Sequence, residues 1–287
     1  MGTRVGYIGL GDMGRPMASH LAPAGFETTV FDLVEEPVQS LVAGGAKAAA
    51  SPREVGERSE VLCICVPADE HLRAVLTGSD GALEGTAPGT VIAVHSTVLP
   101  ETIEEMARAA AERECTLLDA CVTGGAHGAE AGELTFLVGG DDASVEKARP
   151  ILDVSSKAII HAGPLGAGAK LKLAVNALTY IQWAAAYESY SLARVSGLDP
   201  ELFIEAVRSN GQLTELQQRY LALHKMPDEV AGSDGFQANV RLQMHTAEKD
   251  LAHALELARK CGLSMPTAGL VSQQMARLYR VEDGGRR

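Results

Sequence analysis

A glycine-rich segment near the start of the chain has the composition of a phosphate-binding turn. Gly9, Gly11 and Gly14 follow an apolar, strand-like run and precede apolar residues at helical spacing. In a G-x-G-x-x-G turn the first glycine permits the bend, the second lets backbone approach a pyrophosphate, and the third lets the helix pack closely. The N-terminus of that helix offers unpaired N–H groups to the anion. The pattern predicts a dinucleotide site that also includes Leu10, Asp12 and Met13.

Asp32 ends a second strand-like run and indicates which dinucleotide binds. It lies 21 residues after Gly11, near the usual offset of about 20 residues for an acid that binds a ribose diol. Residues 33–36 include no Arg or Lys that could hold a 2′-phosphate, and a carboxylate at this position would repel that phosphate. NAD is therefore favoured over NADP. An aspartate that only begins a turn is the weaker interpretation.

Lys172 and Asn176 are spaced so that both side chains leave one face of a helix, a single turn apart. A lysine that points into a cleft is partly desolvated, which lowers its pKa from about 10.4 toward the range of a general base. The helical pattern alone fits equally well a lysine that extends from a packed helix into solvent.

A third group, Thr123, Gly124 and Gly125, ends another strand-like run. Consecutive backbone N–H groups without obstructing side chains can bind a carboxylate or a phosphate, and the threonine hydroxyl can add a donor. A sharp turn without a ligand is the alternative interpretation. The position at the carboxyl end of a strand, where open α/β sheets bind ligands, favours the anion site.

No metal site is predicted. Helical spacing puts His245, Lys249 and His253 in one row, but the central lysine would repel a metal ion bound by its neighbours. The five cysteines include no C-x-x-C pair, so neither a metal nor a disulfide is indicated.

The elements that must position these residues alternate between strand-like and helical runs over the first half of the chain. This alternation predicts an α/β Rossmann-type, doubly wound and mostly parallel sheet in a domain of residues 1–162. The predicted strands are residues 4–9, 27–32, 61–66, 90–95, 116–120, 134–139 and 157–161.

Residues 163–287 show helical patterns and no convincing strands, which predicts an all-α domain for substrate binding and oligomerisation. It begins with one long linking helix at about 168–196, whose surplus apolar surface could pack on a second subunit. Shorter helices are predicted at 199–209, 212–224, 239–261 and 266–280, with a mobile loop at 225–238.

Composition limits the possible partners. The 25 Lys and Arg residues against 37 Asp and Glu residues give a net charge of −12, so nucleic acid and anionic membranes are poor candidates. No apolar run reaches the roughly 18 residues of a membrane span, and no signal peptide is recognisable. The predicted location is the cytoplasm.

Four separated segments resemble the signatures of the β-hydroxyacid dehydrogenases, the family of 3-hydroxyisobutyrate dehydrogenase, tartronate semialdehyde reductase and the glyoxylate/succinic semialdehyde reductases. The resemblance covers nearly the whole chain. Its segments are GYIGLGDMGRPMA at 6–18, DACVTGGAHGAEAGEL at 119–134, GAGAKLKLAVN at 166–176 and KDL at 249–251.

The resemblance implies a Rossmann domain, a long interdomain helix, an all-α domain, and a homodimer or homotetramer. It assigns the catalytic lysine to Lys172 and its orienting partner to Asn176. Thr123, Gly124, Gly125 and Lys249 would bind the substrate. Further cofactor-binding positions would be Val66, Pro67, Ser96, Thr97 and Lys249.

The implied reaction is oxidation of a small 3-hydroxy acid to its semialdehyde. The turn at 123–125 would hold the carboxylate, and Lys172 would take the hydroxyl proton while hydride passes to the nicotinamide. One alternative is an NAD(P)H-dependent reductase of a small aldehyde acid such as glyoxylate, succinic semialdehyde or tartronate semialdehyde. An alternative of another class is a dinucleotide-binding module without catalysis.

Two departures from the family pattern predict an altered substrate pocket. Cys121 stands where relatives usually have proline, which introduces a polarizable sulfur beside the anion site. Leu242 lies two helical turns before the K-D-L segment, where an aromatic residue is common.

Overall fold

The computed structural model describes residues 2–282, and within them the chain divides between Lys172 and Leu173 into two compact units. In the first unit the described strands form one eight-stranded sheet in the order β3-β2-β1-β4-β5-β6-β7-β8. All neighbouring strands are parallel except β6 and β7. The strands are β1 (Arg4–Ile8), β2 (Glu27–Phe31), β3 (Lys47–Ala48), β4 (Val61–Ile64), β5 (Val91–Val94), β6 (Thr116–Thr123), β7 (Leu134–Gly139) and β8 (Ser156–Gly163).

The predicted α/β architecture is confirmed. Strand β3 was not predicted, because it has only two residues and both are exposed, so it carries no apolar pattern. The pairing of β6 with β7 extends β6 to Thr123, past the predicted end at residue 120. Thr123, which the sequence predicts to bind an anion, is therefore the last residue of a strand.

Helices cover both faces of this sheet. Alternate strand residues point to opposite faces, so Tyr7 and Cys63 belong to one apolar core while Ile8 and Leu62 belong to the other. This doubly covered arrangement explains why the strands read as nearly continuous apolar runs. The helices are α1 (Gly14–Ser19), α2 (Glu35–Ala43), α3 (Pro52–Glu57), α4 (Asp69–Thr77), α5 (Pro100–Ala111), α6 (Gly125–Ala131) and α7 (Asp142–Asp153).

A long helix, α8 (Ala167–Val195), starts in the first unit and continues into the second, as the sequence predicts. In the second unit the described residues, up to 282, form helices and the loops that connect them. Its core is built around Trp183, which is fully buried. The further helices are α9 (Pro200–Ser209), α10 (Glu215–Leu223), α11 (Asp228–Ala231), α12 (Asp234–Lys260), α13 (Pro266–Ser272) and α14 (Met275–Leu278).

Two predicted boundaries in this unit are wrong. The predicted loop at 225–238 contains α11 and the start of α12, which begins at Asp234 despite Gly235 in its first turn. The single helix predicted at 266–280 is instead two short helices, α13 and α14.

Across residues 2–282, no helix combines the length and the apolar composition that crossing a membrane requires.

Candidate functional site

Two glycines of the first turn are required by the packing of the protein itself. Gly9 has φ +91°, and a Cβ there would lie 2.2 Å from the Cys65 carbonyl oxygen. Gly14 begins α1, and a Cβ on it would lie 1.9 Å from the Gly9 carbonyl oxygen. These distances are far shorter than any van der Waals contact, so the turn and the helix can meet only without side chains.

Gly11 differs, because a Cβ added to it would meet no atom of residues 2–282 within 4 Å. Its backbone therefore borders open space at the N-terminal end of α1. Met13, the N-cap residue, makes no side-chain cap hydrogen bond. The Arg15 N–H donates to the Gly11 carbonyl oxygen at 3.0 Å and Pro16 has no N–H, so an anion here would be bound by N–H groups of the turn itself and of Gly14. The turn fits the pyrophosphate of a dinucleotide.

This contrast gives a paired prediction. Gly11→Ala should leave the melting temperature of the ligand-free protein unchanged and weaken NADH binding at least about tenfold, because the new methyl group occupies the space beside the turn. Gly14→Ala should lower the melting temperature itself. Thermal unfolding and NADH fluorescence titration measure the two effects. Unchanged NADH affinity in Gly11→Ala would contradict a pyrophosphate site here.

Asp32 follows β2 and holds the glycine turn. Its carboxylate oxygens accept hydrogen bonds from the Leu10 N–H at 2.6 Å and from the Val34 N–H at 2.8 Å. Each oxygen retains a second lone pair for a ribose hydroxyl.

The fold also brings a cation close to this region. Arg15 of α1 lies 3.9 Å from Glu36 of α2, which residues 33–36 alone did not reveal.

Strands β4 and β5 follow β1 in the sheet, so the loops after them lie on the same edge as the glycine turn. The strand order reverses between β1 and β4, and open α/β sheets bind ligands at such switch points. The buried Ser96 hydroxyl accepts a hydrogen bond from the Val66 N–H at 2.8 Å, which ties the two loops together. Pro67 and Thr97 follow directly in the same loops.

His95, next to Ser96, is part of the core. Its Nδ1 lies 2.8 Å from the Ala120 carbonyl oxygen, and its ring stacks on Tyr7. Burial lowers the pKa of His95 to about 4. This imidazole is therefore neutral near pH 7 and does not titrate in the range that general acid–base catalysis needs.

The turn after β6 has the backbone of an anion site. Gly124 and Gly125 have φ values of +132° and +69°, in the region that favours glycine. A Cβ on Gly125 would meet no atom of the described residues within 4 Å. Because Gly125 begins α6, the first N–H groups of that helix and the Thr123 hydroxyl could donate hydrogen bonds to one anion.

Lys172 is half-buried on the second turn of α8. The start of this helix is fixed by Asp119, a fully buried residue of β6 that the sequence reasoning did not select. Its Oδ1 accepts a hydrogen bond from the Gly166 N–H at 2.8 Å, and its Oδ2 accepts one from the Ala169 N–H at 2.7 Å. Burial raises the pKa of Asp119, while these N–H groups act in the opposite direction.

In the second unit Asn176 and Lys249 are connected through another buried acid, Asp250. The Asn176 Nδ2 donates a hydrogen bond to the Asp250 Oδ2 at 2.6 Å, and the Lys249 Nζ lies 3.0 Å from the Asp250 Oδ1. Asp250 was also missed as a site residue. The available signal was its place in the K-D-L segment, directly after Lys249.

The two departures from the family pattern lie in different environments. Cys121 is fully buried, and its Sγ lies 3.5 Å from the Ser96 carbonyl oxygen. Leu242 is on α12 with 61% of its surface exposed, whereas Phe236 packs against the core of the second unit.

The predicted residues therefore fall into two sets. The first unit contains the glycine turn, Asp32, the turn after β6 and Lys172, and the second contains Asn176 and Lys249. The roles assigned to them remain predictions.

Comparisons with known proteins match the whole length. Residues 4–163 match the family model described as the NAD binding domain of 6-phosphogluconate dehydrogenase, and residues 166–287 match the one described as NAD-binding of NADP-dependent 3-hydroxyisobutyrate dehydrogenase. The chain is 36% identical over 278 residues to the NAD-dependent L-serine dehydrogenase of Pseudomonas aeruginosa, covering 97% of this chain and 91% of that protein.

The 3-hydroxyisobutyrate dehydrogenase of the same organism is 36% identical over 268 residues, covering 93% of this chain and 89% of that protein. Among solved structures, Mycobacterium tuberculosis 3-hydroxyisobutyrate dehydrogenase with L-serine is similar at a TM-score of 0.81 and 26% identity. The match covers 98% of this chain and 94% of that one.

Proposed function

Since the chain belongs to the 3-hydroxyisobutyrate dehydrogenase-like β-hydroxyacid dehydrogenases, which are NAD(P)-dependent CH–OH oxidoreductases, we propose that it oxidises a small 3-hydroxy acid to its semialdehyde with NAD. The observation that carries this proposal is the double role of β6. This strand ends in the Thr123 anion site and, through Asp119, anchors the helix that bears Lys172.

The residues of the first unit fit a bound dinucleotide. The backbone of the Gly11 turn and the start of α1 at Gly14 would hold the pyrophosphate, and Asp32 would accept hydrogen bonds from the ribose diol. Val66, Pro67, Ser96 and Thr97 would line the remaining cofactor. When bound, NAD supplies the hydride acceptor. The carboxylate of Asp32 supports NAD over NADP, because it would repel a 2′-phosphate.

The chain's own groups would bind the acid and move the proton. Thr123, Gly124 and Gly125 would hold the substrate carboxylate through a hydroxyl and backbone N–H groups. Lys172 would accept the proton of the substrate hydroxyl as general base, a role that typically contributes 10²- to 10⁴-fold in rate. In the reverse direction its ammonium group would stabilise the developing alkoxide.

Asn176 would orient Lys172, since it lies one turn further along α8 and is itself fixed by the short hydrogen bond to Asp250. Lys249, paired with the other oxygen of Asp250, would contribute positive charge to the binding of substrate and cofactor. The fixed Asp250 carboxylate limits the rotamers of both side chains.

The names of the relatives support a 3-hydroxy acid. L-Serine and 3-hydroxyisobutyrate, in the names of those relatives, share a carboxylate and a hydroxyl on the β-carbon. They differ in the group on the carbon between. An anion site and one lysine would recognise the shared part.

A substrate panel tests the proposal. With NAD, the enzyme should oxidise members of the set 3-hydroxyisobutyrate, 3-hydroxypropionate, glycerate and serine, measured as NADH absorbance at 340 nm. It should oxidise 4-hydroxybutyrate at least about tenfold less efficiently, because the hydroxyl lies one carbon further from the carboxylate. Faster NADPH-dependent reduction of glyoxylate or succinic semialdehyde than oxidation of any hydroxy acid would favour a reductase instead.

We also propose a homodimer or homotetramer. Leu178, Leu192 and Val195 of α8 are more than half exposed, and apolar side chains in this number on one helix are typical of a surface that packs against another protein. The cytoplasm remains the predicted compartment.

A further inference from the structure

The first turn of α8 has no capping side chain of its own. Gly166 occupies the position before the helix with φ +86°, and the next two residues, Ala167 and Gly168, have no polar side-chain group. The first N–H groups of any helix lack intrahelical partners, and α8 is the longest helix in the described part of the chain. Its N-terminus therefore requires acceptors from elsewhere in the fold.

Asp119 supplies them from β6. One carboxylate bridges the Gly166 and Ala169 N–H groups at 2.8 and 2.7 Å. A negative charge at this end of a helix also interacts favourably with the helix dipole. A carboxylate bonded to two N–H groups three residues apart constrains both the location of the turn and its rotation about the helix axis.

The backbone of the first turn of α8 also packs closely against the sheet. A Cβ on Gly168 would lie 2.4 Å from the Leu137 carbonyl oxygen and 2.8 Å from that of Asp119. A Cβ on Gly139 of β7 would lie 2.5 Å from the Asp119 Oδ1. The first turn of α8 is thus seated directly on β6 and β7, and the Asp119 carboxylate occupies space that a side chain at residue 139 would need.

The same face of β6 leads to the anion site. Strand residues two and four apart point to one side of a sheet, so Asp119, Cys121 and Thr123 share a face. Thr123 lies about 13 Å along the strand from Asp119, at about 3.3 Å per residue. Lys172 lies about 4.5 Å along the helix from Ala169, at 1.5 Å per residue. Asp119 therefore joins the strand that carries Thr123 to the helix that carries Lys172.

We propose that Asp119 is a positioning residue, which sets the location and rotation of the first turn of α8 so that Lys172 is aligned with the substrate held by Thr123. This inference rests on the proposed function, in which Lys172 is the general base. Because Asp119 is fully buried, it would act through the helix and not by contact with the substrate.

The test compares Asp119→Asn with Asp141→Ala. Asp141 caps α7 in the same unit by accepting a hydrogen bond from the Ser144 N–H at 2.9 Å, so its loss removes a helix cap that has no part in the site. Both variants are assayed well below their melting temperatures. Asp119→Asn should lower kcat about 10- to 100-fold with KM for NAD changed less than about twofold, because a displacement near 1 Å can cost about 10²-fold. Asp141→Ala should lower the melting temperature only.

A double variant shows whether Asp119 acts through the lysine. If it does, Asp119→Asn combined with Lys172→Ala should be no slower than Lys172→Ala alone, so the two effects are not additive. Additive losses, or a kcat for folded Asp119→Asn equal to that of the control, would overturn the inference. Normal turnover in Lys172→Ala would instead reject the proposed function.

Asp119→Glu covers the case in which the amide variant does not fold. It keeps the buried charge but inserts one methylene between β6 and the helix, which displaces the first turn of α8. We expect the same selective loss of kcat. Normal kcat in a folded Asp119→Glu protein would contradict a positioning role.

Discussion

Replacing Lys172 by alanine should lower kcat between about 10²- and 10⁴-fold, the range that a positioned general base contributes. NADH affinity should stay within about twofold, because the glycine turn and Asp32 that would hold the cofactor are separate from α8. Steady-state kinetics with the best acid of the panel and NADH fluorescence titration give the two quantities. Lys172→Arg should be about as slow, since a guanidinium keeps its proton at any working pH.

Lys170 provides the matched control for this experiment. It lies two residues earlier on α8 and is exposed, whereas Lys172 is half-buried. Lys170→Ala removes the same charge and the same helix-forming side chain, so it should leave kcat within about twofold. Equal losses in the two variants would point to the net charge of the helix. Unchanged kcat in Lys172→Ala would remove the lysine from the mechanism.

The ratio of kcat/KM for NAD to that for NADP should exceed about 100 in the unaltered enzyme. Two unit charges 4 Å apart at an effective dielectric constant near 20 repel by about 4 kcal/mol, and each 1.4 kcal/mol corresponds to a factor of ten. Asp32→Asn removes this charge and one acceptor for the ribose diol, so the ratio should fall at least about tenfold. The ratio is used because damage to the turn held by Asp32 would weaken the binding of both cofactors, and such a shared loss cancels in the ratio.

Glu35→Gln is the control for charge alone. Glu35 is an exposed acid in the first turn of α2, three residues after Asp32. Its neutralisation should leave the cofactor ratio within about twofold. Preference of the unaltered enzyme for NADP would refute the assignment of Asp32, and would direct attention to Arg15 as the group that binds a 2′-phosphate.

Variants at the two ends of β6 should have separate effects. In the proposed function the Thr123 end would bind the substrate and the Asp119 end would position the lysine, so the two sets of variants should alter different kinetic constants. Changes at 123–125 should act on KM for the acid, whereas displacement of α8 should act on kcat. A site built on a strand and a seated helix is held more rigidly than one built on loops, which suits proton transfer over short distances.

The amino-acid sequence by itself determined the features that depend on local pattern. Alternation of strand-like and helical runs predicts the sheet and its helices, and the glycines at 9, 11 and 14 predict the turn between β1 and α1. Long, strongly periodic segments such as α8 were located correctly because many residues contribute to the same signal. Two predictions failed where the sequence signal was weak. Strand β3 was missed because it has only two residues, both exposed, and a loop was predicted at the start of α12 because of Gly235.

Tertiary structure alone decided which polar groups meet. Asp119 bonds to a residue 47 positions away, and Asp250 bonds to Asn176 across 74 positions. The ion pair of Arg15 with Glu36 likewise joins two helices. Hydrogen bonds and ion pairs act over a few ångströms whatever the separation along the chain, so spacing in the sequence carries no trace of them. The sequence predicted Lys172 as the catalytic lysine and Thr123 as a residue that binds the substrate. The fold supplied the buried carboxylate of Asp119 beneath the helix of that lysine, on the strand that carries the threonine.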